Sequence, residues 1–374
     1  MTKQRYSGAR IFDGTTTHND KALVVEDGLI VGVDAPQKSD TWLDGGILSP
    51  SFVDLQANGG GGIMVDGDAD AGRLAAICAT HILQGCVGIL PTLITDTPEA
   101  LGSVIDAGIT AAQANVPGFL GLHLEGPHLD PAKNGAHDAA LIRPMTDADL
   151  ARLLEAARQL PALMVTLAPS AVTPIQIATL AQAGVIVSLG HSNCTYAEAT
   201  EAIKAGVGCV THLFNAMSQF SSREPGLVGA VLDSDIAAGI IADGFHVSPA
   251  AIRVALAARP NGLFLVSDSM ALAGTELTEM TLGGRLIRRE NGRLTLEDGT
   301  LAGADLRLDM AVEFMIRQAR LTPARALAMA TSTPAALIGQ AGRYGHLLAG
   351  RRADFIHIDK NWQLNKIWWS GTPL

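Results

Sequence analysis

The sequence predicts an α/β protein built on a (β/α)8 TIM-type barrel, with a small β-sandwich domain formed by its N- and C-terminal segments. Three observations carry this. Eight short apolar runs recur through the middle of the chain, helical patterns lie between most of them, and both ends have a strand-like texture. Strands buried on both faces and alternating with helices imply a parallel sheet. Eight such units in roughly 300 residues match the barrel architecture.

The elements follow in order. Ala9 to Phe12, Lys21 to Glu26 and Gly28 to Val33 read as short strands. Asp13-Gly14, Asp27-Gly28 and Asp44-Gly45-Gly46 separate them as turns. The eight barrel runs lie near Ile47 to Leu55, Gly88 to Leu93, Phe119 to Leu124, Met164 to Leu167, Val185 to Leu189, Gly208 to Thr211, Ala238 to Ile241, and Leu263 to Val266. Helical patterns cover Asp147 to Leu160, Thr173 to Ala183, Thr195 to Ala205 and Ser248 to Ala258. After the eighth run, Leu286 to Leu296 reads as a hairpin turning at Asn291-Gly292. From about Leu347 alternation returns, as in ADFIHIDKNWQLNKIWWSG. The expected division is residues 1–48 and 347–374 for the small β domain and 49–346 for the barrel.

Composition narrows the function. The chain has 374 residues, 48% of them hydrophobic, enough for a large core. A formal charge of −10 argues against nucleic acid and anionic membrane surfaces as partners. The four cysteines form no CxxC pair, which argues against a disulfide framework or thiolate zinc. The start, MTKQRYSGARIFDG, lacks the apolar stretch of a signal peptide, so a cytoplasmic location is expected. Ala75 to Ile94 is apolar but holds His81, Gln84, Gly85 and Pro91, and reads as helix, turn and strand rather than a membrane span.

Polar residues recur where the runs end. Asp54, Gln56 and Asn58 end the first, Glu125 the third, His191 the fifth, His212 the sixth and Asp268 the eighth, while the seventh leads to Asp243 and His246. In a barrel these ends converge on the face that carries active sites. Any one of them could be a satisfied polar residue at a strand end; recurrence at several ends points to a site. Glu125, His191 and His212 suit zinc or a similar divalent ion with one position left open. His123 shares a face with Glu125 by strand alternation and is expected to pack inside the barrel. His81 is expected in the core, Lys133 in solvent, and the NGGGG run after Ala57 as a turn rather than an anion nest.

At this point the motifs LHLEGPHLDPAKNGAH, GHSNCTYAEA, THLFNAM, REPGLVGAVLD, GIIADGFHVSP, LVSDSM and GTLAGA resemble, in order, those of the N-acetylglucosamine-6-phosphate deacetylase family within the amidohydrolase superfamily. The resemblance runs from about Asp44 to Gly350. It implies one divalent metal per chain, zinc first, with iron, manganese or cobalt as alternatives, held by Glu125, His191 and His212. It implies Asp268 as the catalytic aspartate and His137, beside Ala136, at the acetamido carbonyl. Asn215, Ala216, Arg223 and His246 match sugar-phosphate contacts, and Leu301, Ala302, Gly303 and Ala304 a closing segment over the substrate.

There are departures. The first run ends VDLQAN where most superfamily members carry His-x-His, so Gln56 and Asn58 are expected at most in a water-mediated metal shell. His128 stands where an aromatic or apolar residue is common, and Ala304 where serine is common. The resemblance implies metal-dependent hydrolysis of N-acetyl-D-glucosamine 6-phosphate to D-glucosamine 6-phosphate and acetate by a homodimer, with Arg223 near the subunit boundary. Alternatives are the galacto epimer as substrate, an N-acyl-D-amino acid or cyclic imide, or a non-catalytic scaffold on the same fold. Arg223 and His246 speak against the acyl amino acid and imide. A scaffold should have lost metal ligands or the aspartate, and none is lost.

Overall fold

The computed structural model describes residues 3–374. Eight parallel strands stand side by side in chain order: Phe52–Ala57, Cys86–Ile94, Leu122–Glu125, Leu163–Leu167, Ile186–Leu189, Cys209–Val210, Ala237–Ile240 and Leu263–Leu265. A parallel bridge between Ala57 and Ser269 brings the first strand against the segment after the eighth and closes the barrel. The first four strands and the strand Ile186–Leu189 are buried almost throughout, because helices cover their outer face and side chains fill the interior.

The helices start where local chemistry satisfies their first N–H groups. Thr146, Thr173 and Thr195 each accept from the third helical residue, and Asp149, Gln176 and Glu198 reach back to the cap. Ser248 caps the helix Pro249–Ala258, whose first position is proline. Ala71–Ile82 begins at Asp70 and leads through a turn into the second barrel strand, so the apolar window there is helix, turn and strand. Among the described residues no helix is long and apolar enough to cross a membrane.

The run Ile47 to Leu55 is not one strand. Ile47–Pro50 pairs with Phe355–Ile358 and Arg10–Phe12 in a six-stranded sheet, and only Phe52–Ala57 joins the barrel. Proline donates no N–H, so Pro50 marks the change of sheet. A four-stranded sheet of Lys3–Ser7, Ala22–Glu26, Leu29–Asp34 and Thr41–Trp42 covers the six-stranded one. Their shared core includes Tyr6, Leu23, Val25, Ile30, Phe355 and Trp368, with Phe355 stacked on Trp368 at 4.5 Å. The chain's two ends thus build one small β unit.

The hairpin after the eighth strand is larger than its sequence suggests. Arg285–Glu290 and Arg293–Leu296 turn at Asn291-Gly292, but Glu279–Leu282 and Leu301–Ala304 flank them in a four-stranded sheet. Glu279–Leu282 does alternate polar and apolar, with Met280 and Leu282 half-buried, but it is only four residues long and has no fully buried position.

Candidate active site

Glu125 ends the third barrel strand, fully buried, and the chain turns away at Gly126-Pro127. Burial alone would raise its carboxyl, but His191 and His212 hold it well below the usual range. Its Oε1 lies 3.2 Å from His191 Nε2 and 3.0 Å from His212 Nε2, and the two ring nitrogens are 3.0 Å apart. Zinc bonded tetrahedrally to such ligands would set them about 3.3–3.5 Å apart. His191 Nδ1 donates to the Lys133 carbonyl at 2.9 Å. In the neutral ring this leaves a lone pair on Nε2, the tautomer a metal needs. Two imidazoles and a carboxylate converging this closely fit a divalent cation.

The backbone is bent to deliver these groups. His191, His212 and Asp268 all have left-handed φ, at 44°, 32° and 49°. Such residues persist only where the surroundings enforce them, and they gather at functional sites. Gly190 helps the fifth strand end reach its place: a Cβ there would lie 2.7 Å from the Thr166 methyl.

Asp268 Oδ1 accepts from Asn58 Nδ2 at 2.7 Å and from Gln56 Nε2 at 3.1 Å. The Gln56 amide also lies 3.3 and 3.2 Å from the two Glu125 oxygens. Gln56 therefore bridges the two carboxylates as a donor. Burial first, then the charge of Glu125, push the Asp268 carboxyl up to about 6. A cation bound beside it would oppose that shift by favouring the charged form.

His137 is buried above this group, its ring centre 4.2 Å from that of His191. The Thr95 N–H donates to His137 Nδ1 at 3.2 Å, and Thr95 Oγ1 lies 2.8 Å from the same atom. Nδ1 is thus an acceptor. Burial and then the nearby His191 lower the ring to about 3, so it is neutral and its proton sits on Nε2. That nitrogen stands 4.0 Å from Glu125 Oε2, a donor facing the Glu125, His191 and His212 cluster. Thr95 has no motif of its own. Its one sequence signal is that it closely follows the second apolar run.

Asn58, Glu125, His137, His191, His212 and Asp268 line a cavity of about 420 Å3 together with Ala136, Asn215, Ala216, His246, Leu301 and Gly303. His246 Nδ1 is tied to Asp243 at 2.6 Å. Ala302 and Ala304 instead turn into apolar cores, because strand alternation places only every second residue of Leu301–Ala304 on the cavity side. Arg223 is exposed and is not part of the cavity wall, and no lining residue is lysine or arginine.

The other histidines separate cleanly. His123 Nδ1 donates to the Leu55 carbonyl at 3.0 Å, so Nε2 accepts from Thr166 Oγ1 at 2.7 Å. Thr166 then accepts from Thr211, and Thr211 from Ser188, at 2.6 and 2.7 Å. This is a polar chain across the barrel interior. His81 is buried and bonds the Gly59 carbonyl, while His128 Nδ1 bonds the Arg143 carbonyl. Lys133 serves the cluster through its main-chain oxygen, a role its side chain does not advertise.

The amidohydrolase family model matches residues 47–372. The chain is similar to an N-acetylgalactosamine-6-phosphate deacetylase of a Shewanella strain, at 36% identity over 98% of this chain and 95% of that one. It is similar to the crystal structure of N-acetylglucosamine-6-phosphate deacetylase from Pasteurella multocida, at 31% identity and a TM-score of 0.94, covering all of both chains. The Mycobacterium smegmatis enzyme, in an aspartate-to-alanine variant complexed with N-acetyl-D-glucosamine-6-phosphate, matches at 29% identity and a TM-score of 0.90, over 100% of this chain and 99% of that one.

Proposed function

This chain belongs to the amidohydrolase family, and from that premise we propose that it hydrolyses N-acetyl-D-glucosamine 6-phosphate to D-glucosamine 6-phosphate and acetate, a step of amino-sugar catabolism. The observation that carries this reading is the meeting, in one cavity, of the Glu125, His191 and His212 cluster with the buried carboxylate of Asp268 and the neutral His137.

Glu125, His191 and His212 would hold the metal, zinc by preference. A divalent cation there lowers the pKa of a bound water and polarises a carbonyl. Asp268 accepts the proton of the attacking water and passes it to the amide nitrogen as the C–N bond breaks. Gln56 and Asn58 aim its carboxylate by donating to one oxygen, leaving the other for the proton. His137 donates from Nε2 to the carbonyl oxygen as that oxygen gains charge. A cavity of about 420 Å3 lies within the range that encloses a small ligand such as a hexosamine phosphate. Asn215, Ala216 and His246 line one part of its wall, where they would receive the sugar phosphate.

The cavity wall supplies no lysine or arginine to a phosphate dianion. Arg223, exposed on its loop, is the group we assign to that task across the boundary of a homodimer, since its guanidinium binds phosphate bidentately. Mixing Arg223→Ala protein with Asp268→Asn protein should restore activity, because one site of each mixed dimer then carries neither lesion. No recovery after verified subunit exchange would place Arg223 in its own chain's site.

The galacto epimer is the second reading, favoured by the 36% identity to the Shewanella enzyme. A panel of phosphorylated and free N-acetyl hexosamines, read by acetate release with added divalent metals, decides. The gluco 6-phosphate should have the highest kcat/KM and the unphosphorylated sugars far lower values. A higher value for the galacto 6-phosphate would transfer the assignment to the epimer, and indifference to phosphate would remove it from both.

A further inference from the structure

The sheet after the eighth barrel strand is held very differently at its two ends. At its base, Arg289 donates to the carbonyls of Leu272, Thr275 and Leu277 and pairs with Asp305. At its tip, Leu282 and Arg285 face each other across the Gly283-Gly284 turn, whose glycines have left-handed φ and no neighbour near an added Cβ. Leu282 lines the cavity. Arg285 reaches the carbonyl of Ala136, 149 residues earlier, and is the tip's polar tie to the His137 loop. Ala136 also packs against the small apolar core under this sheet, alongside Met280 and Leu282.

We propose that Arg285 is a positioning residue for His137, latching the hairpin tip over the cavity and fixing the loop from which that imidazole acts. The Ala136 carbonyl belongs to the peptide unit that enters His137, so a bond to it restrains the backbone that aims the ring. Within the loop, His137 N–H donates to the Asn134 carbonyl and Asn134 Nδ2 returns a bond to the His137 carbonyl. Thr95 sets the ring's tautomer from the barrel side, and Arg285 steadies its backbone from the hairpin side. Misplacing a catalytic group by about 1 Å can cost on the order of 100-fold in rate. The kinetic part of this inference rests on the proposed hydrolysis, and the structural part does not.

Two measurements test it. Hydrogen exchange of the segment 134–138 should quicken about tenfold in Arg285→Ala, a size that reflects loss of local opening energy, and stay near wild type in Arg285→Lys, which keeps a donor. In kinetics, Arg285→Ala should lower kcat by roughly 10- to 100-fold with metal content unchanged, and Arg285→Lys should recover much of it. In a His137→Ala background the same change should cost no more than about threefold, because residues acting as one unit are not additive. Unchanged exchange around His137, or an equal rate factor in both backgrounds, overturns the latch. If wild type turns over no N-acetyl hexosamine phosphate, the proposed function fails and the exchange result alone decides the latch.

Discussion

An Asp268→Asn enzyme should keep its metal and lose its turnover. Both amides that touch Asp268, from Gln56 and Asn58, donate to a single oxygen, Oδ1. Asparagine can offer that oxygen unchanged and place its own NH2 where Oδ2 stood. The packing around the side chain therefore survives. The capacity to take a proton from water and return it to nitrogen does not, and such general base catalysis is worth roughly 10²–10⁴ in rate. Steady-state kcat beside metal analysis of the same preparation checks this. More than about a tenth of wild-type kcat would show that another group is the base.

Glu125→Ala should fail in a different way, by losing metal and activity together. Glu125 Oε1 is the atom both His191 and His212 approach, so its removal leaves two imidazoles without the third ligand. It also strips the Gln56 amide of two of its three acceptor contacts inside a buried site. High added metal should restore part of the activity. Wild type should hold one tightly bound equivalent per chain, since Gln56 and Asn58 spend their amide donors on carboxylates and neutral amides bind zinc poorly. His137→Ala is the necessary contrast: it should keep its metal and lose kcat by roughly 10²–10³, the usual cost of one oxyanion donor. Metal loss in His137→Ala, full retention in Glu125→Ala, or two equivalents in wild type would each break the assignment.

Much of the barrel was legible because its strands are buried on both faces and so read as unbroken apolar runs. Thr173, Thr195 and Ser248, where three helical patterns begin in the sequence, are the caps of those helices in the structure. The polar residues at the run ends were legible as a group because a barrel gathers strand ends, whatever their separation along the chain. What escaped depends on pairings that no local pattern records. Thr95 meets His137 from 42 residues away, and Arg285 meets Ala136 from 149. The strand Glu279–Leu282 escaped because it is only four residues long and at most half-buried, and the split at Pro50 because two sheets share one apolar run. Arg223 could be found by motif, yet its own chain does not bring it to the cavity.

The six-stranded terminal sheet has a consequence for how the protein is made. Its order places Phe355–Ile358 directly beside Ile47–Pro50, with Leu364–Trp369 and Thr372–Pro373 beyond. Three of its six strands therefore leave the ribosome after the whole barrel. Until they emerge, Ile47–Pro50 has an open edge, and a nascent chain with an unpaired apolar edge is prone to association. The β unit is thus completed only after the barrel has been made, and Ile47–Pro50, just ahead of the barrel's first strand, gains its second neighbour only then.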